Sequence, residues 1–273
     1  MKIPTPQTPR IVFVTLALDA MPFITRHLSE FEKLELEWEW RIAEGVAAPK
    51  HCTKWCAPMT PRLSIDGTTG YLESIAAWDT RVKLMQRELW NGKTHMLNAL
   101  CHTIREPSLV WEVDADECWS AEQIMCMARM FAEHRVKNCA HFYCRYFVGR
   151  DIMITSRNGY GNNEAYEWKR VWRWEPGMRW KSHEPPVVDG ITERPFTHAE
   201  TEAAGLVFDH YAYATEAQVA FKEQYYGSSN NECGKLYKDA VKGWMRLQEN
   251  HEWPADLKQY MPWVGDGVRV ERV

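Results

Sequence analysis

The stretch "RIVFVTLAL" at residues 10–18, held between Pro9 and Asp19, constrains the fold more than any other. An unbroken apolar run of this length bounded by Pro and a charge reads as a buried strand. It is followed by "MPFITRHLSEFEKL" (21–34), with Pro22 near its start and Ile24, Leu28 and Phe31 at helical spacing. Then "LEWEWRIAEGV" (36–46) alternates apolar and charged residues before Gly45, as a second strand does. A strand, a helix and a strand in succession favour a parallel sheet flanked by helices.

Further along, "DGTTGYLESIAAWDTRVKLMQREL" (66–89) reads as one helix, with Asp66 and the threonines as capping candidates. "THMLNALCHTI" (94–104) is a second helix, and "SLVWEVDAD" (108–116) a further strand. In "SAEQIMCMARMFAEH" (120–134) Ser120 stands three residues before Gln123, the spacing of a capping box. Residues 138–148 and 166–174 read as strands, 149–165 as a mobile loop, and "GLVFDHYAY" (205–213) as another strand. "TEAQVAFKEQYYG" (215–227) is a helix with Thr215 as cap, and a last helix is expected near 232–249, before a Pro/Trp-rich tail. No repeat or low-complexity tract is visible.

The acidic residues of "WEVDADE", Asp114, Asp116 and Glu117, therefore fall between the end of a strand and the start of a helix. In open α/β sheets that edge is where ligands bind. Two aspartates separated by one residue can present carboxylates to a divalent cation, with ligand phosphate completing the shell. The same charges also suit the start of a helix, whose dipole favours them.

The neighbouring motifs separate these two readings. "ALDAMPFITRHL", "SIDGTTGYLESI", "KTHMLNAL", "WEVDADE", "RVWRWEPGMRWKSHEPP" and "VFDHYAY" follow one another in an order that resembles the GT-A glycosyltransferases, specifically those similar to family 2. The resemblance spans roughly residues 10–215. It implies an α/β fold of GT-A (Rossmann-like) type, a mostly parallel sheet flanked by helices. The domain would occupy 1–214, with a helical C-terminal extension over 215–273 packed on it.

By position, the resemblance implies that Asp116 and His210 hold Mn²⁺ or Mg²⁺. Asp114 would lie near the nucleotide ribose, Glu44 near the base, and Asp66 would help position the nucleotide or only cap its helix. Glu184 would be the base of an inverting transfer to an acceptor hydroxyl. His183 would orient the acceptor or join the metal shell, and Arg170 and Arg173 would face phosphate or acceptor. The donor would be a nucleotide sugar, a UDP- or GDP-sugar first, and the acceptor a glycan, a lipid-linked sugar or another hydroxyl. The sequence departs from the family at "AEGVA", where many relatives have consecutive aspartates. The loop 47–64, with Cys52 and Cys56, has no counterpart and either shapes the acceptor side or binds a metal.

Composition limits the alternatives. The net charge of −4 provides no global field toward nucleic acid. A modified base in phage DNA, or a protein side chain, would be a polymer acceptor for the same fold. For nucleic acid the only local hint is Lys169, Arg170, Arg173, Arg179 and Lys181. A non-catalytic carbohydrate-binding protein with a degenerate site is the reading from another class. No apolar run of 18 residues occurs, and "MKIPTPQTPR" does not read as a signal peptide, so a cytoplasmic protein with reduced thiols is expected.

Overall fold

The structure is a computed structural model that describes residues 9–49, 56–149, 151–155, 168–227, 239–250 and 270–272. Its centre is a seven-stranded sheet. Strand β1 (Ile11–Ala17) pairs in parallel with β2 (Trp38–Ala47) on one side and β4 (Ser108–Glu112) on the other, and β3 (Val82–Trp90) continues beyond β2. On the far side β9 (Lys169–Trp174) runs antiparallel to β4, followed by β6 (Cys139–His141) and β12 (Pro195–Phe196).

Side chains of a strand alternate between faces, and β1 shows it. Ile11 and Phe13 enter a core with α1 (Thr25–Phe31), α2 (Thr68–Trp78) and α4 (Ala121–Glu133), while Val12 and Val14 pack with α3 (Lys93–Cys101) on the other face. Five tryptophans, Trp40, Trp90, Trp111, Trp172 and Trp174, are among the largest fully buried side chains, so many of these rings are core. The charged residues that alternate in β2 are buried as well: Glu39 receives Arg41 at 2.8 Å and also Arg10, and Arg41 donates to the Leu100 carbonyl.

A second sheet orders β14 (Val270–Arg272), β8 (Ile152–Thr155), β7 (Cys144–Phe147), β13 (Phe208–His210) and β5 (Glu117–Cys118). Strands β10 (Trp180–Ser182) and β11 (Val187–Val188) form a small ribbon. Helices α5 (His198–Ala203), α6 (Glu216–Gly227) and α7 (Ala240–Asn250) complete the described elements. No described helix is long and apolar enough to cross a membrane.

The capping box at Ser120 is present in both directions. Gln123 N–H donates to Ser120 Oγ at 3.2 Å, and Ser120 N–H to Gln123 Oε1 at 3.0 Å. Thr215 Oγ1 likewise accepts from Gln218 N–H at the start of α6. The expected single helix over 66–89 is instead α2 followed by β3. Asp79 turns the chain, accepting from Arg81 N–H, and β3 then pairs with β2 along nearly its whole length. "RVKLMQREL" is rich in helix formers, and its parallel partner outweighs that local preference.

Other bounds also shift. The acidic motif lies beyond β4, which ends at Glu112, rather than on it. Strand β8 falls inside the span expected to be loop. The remainder of that span from 156 on, Cys52, and most of the tail lie outside the described residues, as does the start of the last expected helix.

Candidate active site

A cavity of about 760 Å³ opens at the C-terminal ends of β1 and β4. Leu16, Leu18, Asp19 and Asp66 line one side; Asp114, Asp116 and His210 line its floor; Lys93, His183 and Glu184 line another wall. Phe221, Lys222 and Tyr226 of α6 close it. The sheet alone does not make this pocket, because α6 supplies part of the enclosure.

Asp116 and His210 are brought together by β-pairing. β5 runs antiparallel to β13 with Glu117 opposite His210, and Tyr211 N–H donates to the Asp116 carbonyl at 2.8 Å. His210 Nε2 then lies 3.4 Å from Asp116 Oδ1, and Lys222 Nζ lies 3.9 Å from Asp116 Oδ2. Burial opposes ionisation of Asp116, but the His210 imidazole and the Lys222 ammonium outweigh it and hold the carboxyl below its ordinary range. Burial also pushes the Lys222 ammonium down, against the pull of Asp116.

Because β9 is antiparallel to β4, its first residues stand at the same edge as the acidic motif. Arg170 is buried there. Its guanidinium meets Glu117 Oε1 at 2.5 and 2.8 Å and Asp114 Oδ2 at 2.8 Å, and comes within 3.9 Å of Glu112. Arg170 thus fixes the turn 114–117 rather than presenting a free fork to a phosphate. Burial would raise Asp114, and Arg170 overrides it, so that the carboxyl sits below its ordinary value. Glu117 is fully buried, and desolvation pushes it up to about 7 despite the guanidinium.

The opposite wall carries a chain of alternating charges. His183 Nε2 lies 3.1 Å from Glu112 Oε1, and His183 Nδ1 lies 3.6 Å from Glu184 Oε1. Lys93 Nζ, at the start of α3, lies 3.5 Å from the same Glu184 oxygen. Burial lowers His183, but Glu112 more than compensates and its pKa is raised. In the same way burial lowers Lys93 while Glu184 raises it, with a net upward result. Glu184 keeps 35% side-chain exposure and faces the cavity.

Two groupings at this edge of the sheet could hold a cation, and a third set, Cys139, His141 and Glu193, lies away from the cavity. Glu112, Asp114 and His183 offer ligand atoms within 4.8 Å of one another. That set is already neutralised from within, since His183 engages Glu112 and Arg170 engages Asp114. Asp116 and His210 converge on the cavity, where a ligand can supply further oxygens.

Two expected contacts are placed elsewhere. Glu44 is fully buried and does not line the cavity; it accepts from Ser64 N–H, Thr69 Oγ1 and Gln86 Nε2. It therefore braces the 64–69 segment instead of meeting a base. Arg173 faces away from the cavity and donates to the Lys137, Phe131 and His134 carbonyls at the end of α4. Residues three apart on a strand point to opposite faces, which is why Arg170 and Arg173 part company. Of the basic residues, Arg170 and Arg173 are engaged as described and Lys169 is bound by Glu193 at 2.6 Å, while Arg179 and Lys181 are exposed.

Asp66 does line the cavity. Its Oδ1 accepts from Thr68 N–H and its Oδ2 from Met21 N–H, so it both starts α2 and ties it to the loop after β1. Asp19, Lys93 and Lys222 line the cavity as well, beyond the residues expected from the sequence. Asp19, at φ 49°, binds Arg62 and accepts from Ile65 N–H. Its place straight after the first strand was the available signal. Lys93 and Lys222 sit in ordinary helical stretches that carry no such signal.

No protein-family model matches the sequence, and no curated protein matches it. Solved structures do. The mannosyltransferase PcManGT from Pyrobaculum calidifontis, in complex with GDP-Man and Mn²⁺, is 12% identical with a TM-score of 0.50, covering 94% of this chain and 69% of its own. The fold is GT-A-like. S. aureus TarS 1–349 is 15% identical with a TM-score of 0.45, covering 92% of this chain and 70% of its own. At such identities the GT-A-like likeness concerns the fold, and the chemistry has to be argued from the cavity.

Proposed function

We propose that this chain is a metal-dependent glycosyltransferase that moves a sugar from a nucleotide-sugar donor to an acceptor hydroxyl. One observation carries the reading: Asp114, Asp116 and His210 meet Glu184 and His183 in a single cavity at the C-terminal edge of a GT-A-like sheet. An anionic floor that can take a cation suits a diphosphate, and a carboxylate on another wall suits the removal of a hydroxyl proton.

Asp116 and His210 fit a divalent cation. A carboxylate oxygen and an imidazole nitrogen converge at 3.4 Å and both face the cavity. Oxygen ligands suit Mn²⁺ and Mg²⁺, and the imidazole favours Mn²⁺ of the two. When bound, the cation would offset charge developing on the departing diphosphate. Asp114, held by Arg170, would accept from the ribose hydroxyls, with Asp66 beside the nucleotide. Glu184 would take the acceptor proton as the acceptor oxygen bonds to the anomeric carbon and the bond to the diphosphate breaks. Attack opposite the leaving group inverts that centre. His183, anchored by Glu112, would keep the Glu184 carboxylate aimed into the cavity.

Glycans, lipid-linked sugars and polymer hydroxyls all remain acceptors of suitable chemistry. The test is thermal unfolding with UDP, GDP, CDP and dTDP, each with Mn²⁺ and with EDTA. A ligand that binds only the folded state adds about 2.7 kcal/mol at a hundredfold excess over its dissociation constant. A rise with one nucleotide that disappears in EDTA is expected. No response to any of the four would leave the non-catalytic reading standing in its place.

A further inference from the structure

Lys222 is a cation in the cavity that the reading above does not use. Its helix, α6, is pinned to the strand that carries His210: Gln218 Nε2 donates to the Tyr211 carbonyl at 2.8 Å, and Lys222 Nζ to the Ala212 carbonyl at 2.6 Å. Ala57 N–H donates to the Tyr225 carbonyl on the same helix. The ammonium also lies 4.3 Å from the centre of the Tyr213 ring and 3.9 Å from Asp116 Oδ2. Its side chain is 19% exposed, and that exposure is to the cavity.

An ammonium has three donors. The Ala212 carbonyl takes one, and Asp116 lies beyond hydrogen-bond distance. The charge is therefore held in place by backbone and ring, aimed at the carboxylate that would hold the metal. We propose that Lys222 is a second, built-in cation of the site, which binds the donor diphosphate and shares Asp116 with the metal. The proposal rests on the glycosyl-transfer reading.

The electrostatics give it a signature of two opposite signs. Without nucleotide, Lys222 and a divalent cation compete for Asp116, and each raises the cost of the other. With a diphosphate present, both cations face its negative charge and the repulsion between them is offset. Removing the ammonium should then strengthen binding of the metal alone and weaken binding of the diphosphate.

The test uses the full chain as wild type, Lys222→Met and Lys222→Arg, with circular dichroism confirming that each is folded. Methionine suits the surroundings, since Phe221 and Tyr213 flank the site. Calorimetry would follow Mn²⁺ alone, then GDP and UDP in Mn²⁺ and in EDTA, with guanosine and uridine as phosphate-free controls. Lys222→Met is expected to bind Mn²⁺ more tightly and the nucleoside diphosphate about tenfold more weakly, the loss of one charged hydrogen bond. Nucleoside binding should not change, and Lys222→Arg should recover most of the loss. Equal affinity of wild type and Lys222→Met for the diphosphate would overturn the proposal alone. A loss that is equal for nucleoside and diphosphate would also overturn it, as it would mark a structural role. A wild type that binds neither GDP nor UDP in Mn²⁺ would instead sink the glycosyl-transfer reading, and this proposal with it.

Discussion

Replacing Arg170 by Met should damage the protein before it damages any chemistry. The guanidinium is 7% exposed and serves Glu117, which is 0% exposed, Glu112, at 2%, and the cavity-facing Asp114. Removing one partner of a buried ion pair costs about 3–5 kcal/mol, because the remaining charge has no compensation. Glu117 softens this near neutrality. Burial has already pushed it up to about 7, so it can take a proton at modest cost. For a chain of this size a loss near the lower bound corresponds to on the order of 10 °C in melting temperature.

The pH dependence follows in sign. In Arg170→Met, Glu117 and Asp114 lose the guanidinium that neutralises them among the described residues, so the folded pKa of Asp114 moves above its unfolded value and that of Glu117, already raised, moves higher still. Stability from such groups is fully present below the unfolded pKa and is lost as pH rises through the folded value. The gap between wild type and variant should therefore widen from pH 5 to pH 8. Thermal unfolding of both proteins at four pH values in that range reads it directly. A gap under about 1 kcal/mol, or one that stays constant with pH, would refute the argument that Arg170 neutralises this cluster.

Three further outcomes are expected. Glu184→Gln should lower turnover by about 10²–10⁴-fold and leave the nucleotide-dependent rise in melting temperature intact; near-wild-type turnover would remove Glu184 from the role of base. In Glu112→Gln, His183 should lose the partner that raises its pKa. Stability from that pair is full below the unfolded histidine value, about 6.5, and declines as pH rises through the folded one. Wild type should therefore exceed the variant by more at pH 6 than at pH 9 in urea unfolding, and an equal difference would count against the pairing. Gly45→Ala should cost on the order of 2 kcal/mol or more. Gly45 has φ 125°, and a Cβ there would meet the Arg87 carbonyl oxygen of β3 at 1.8 Å; an unchanged melting temperature would mean that β2, whose register against β3 shifts between Glu44 and Val46, can relax.

Local chemistry made part of this molecule legible in advance. The apolar run of β1 and the capping box at Ser120 depend on nearby residues, and both stand in the structure as read. The Asp116–His210 approach was legible only through resemblance, since the pairing of β5 with β13 that creates it joins segments far apart in sequence. The helix expected over 66–89 failed because β3 is specified by its parallel neighbour and not by its own composition. Arg173 could have been separated from Arg170 by spacing alone, since residues three apart on a strand point to opposite faces, whereas the direction of Glu44 depends on the register of β2, which shifts between Glu44 and Val46. Lys222 escaped notice because its meaning comes from the packing of α6 over the strand ends.

The central claim is that Asp116 holds a divalent cation for a nucleoside diphosphate. Its most direct test is calorimetric titration of wild type and Asp116→Asn with GDP and with UDP, in Mn²⁺ and in EDTA. The account predicts that one nucleotide binds wild type in a metal-dependent way, and that Asp116→Asn loses this dependence while staying folded. Equal Mn²⁺-dependent affinity in the two proteins would contradict it.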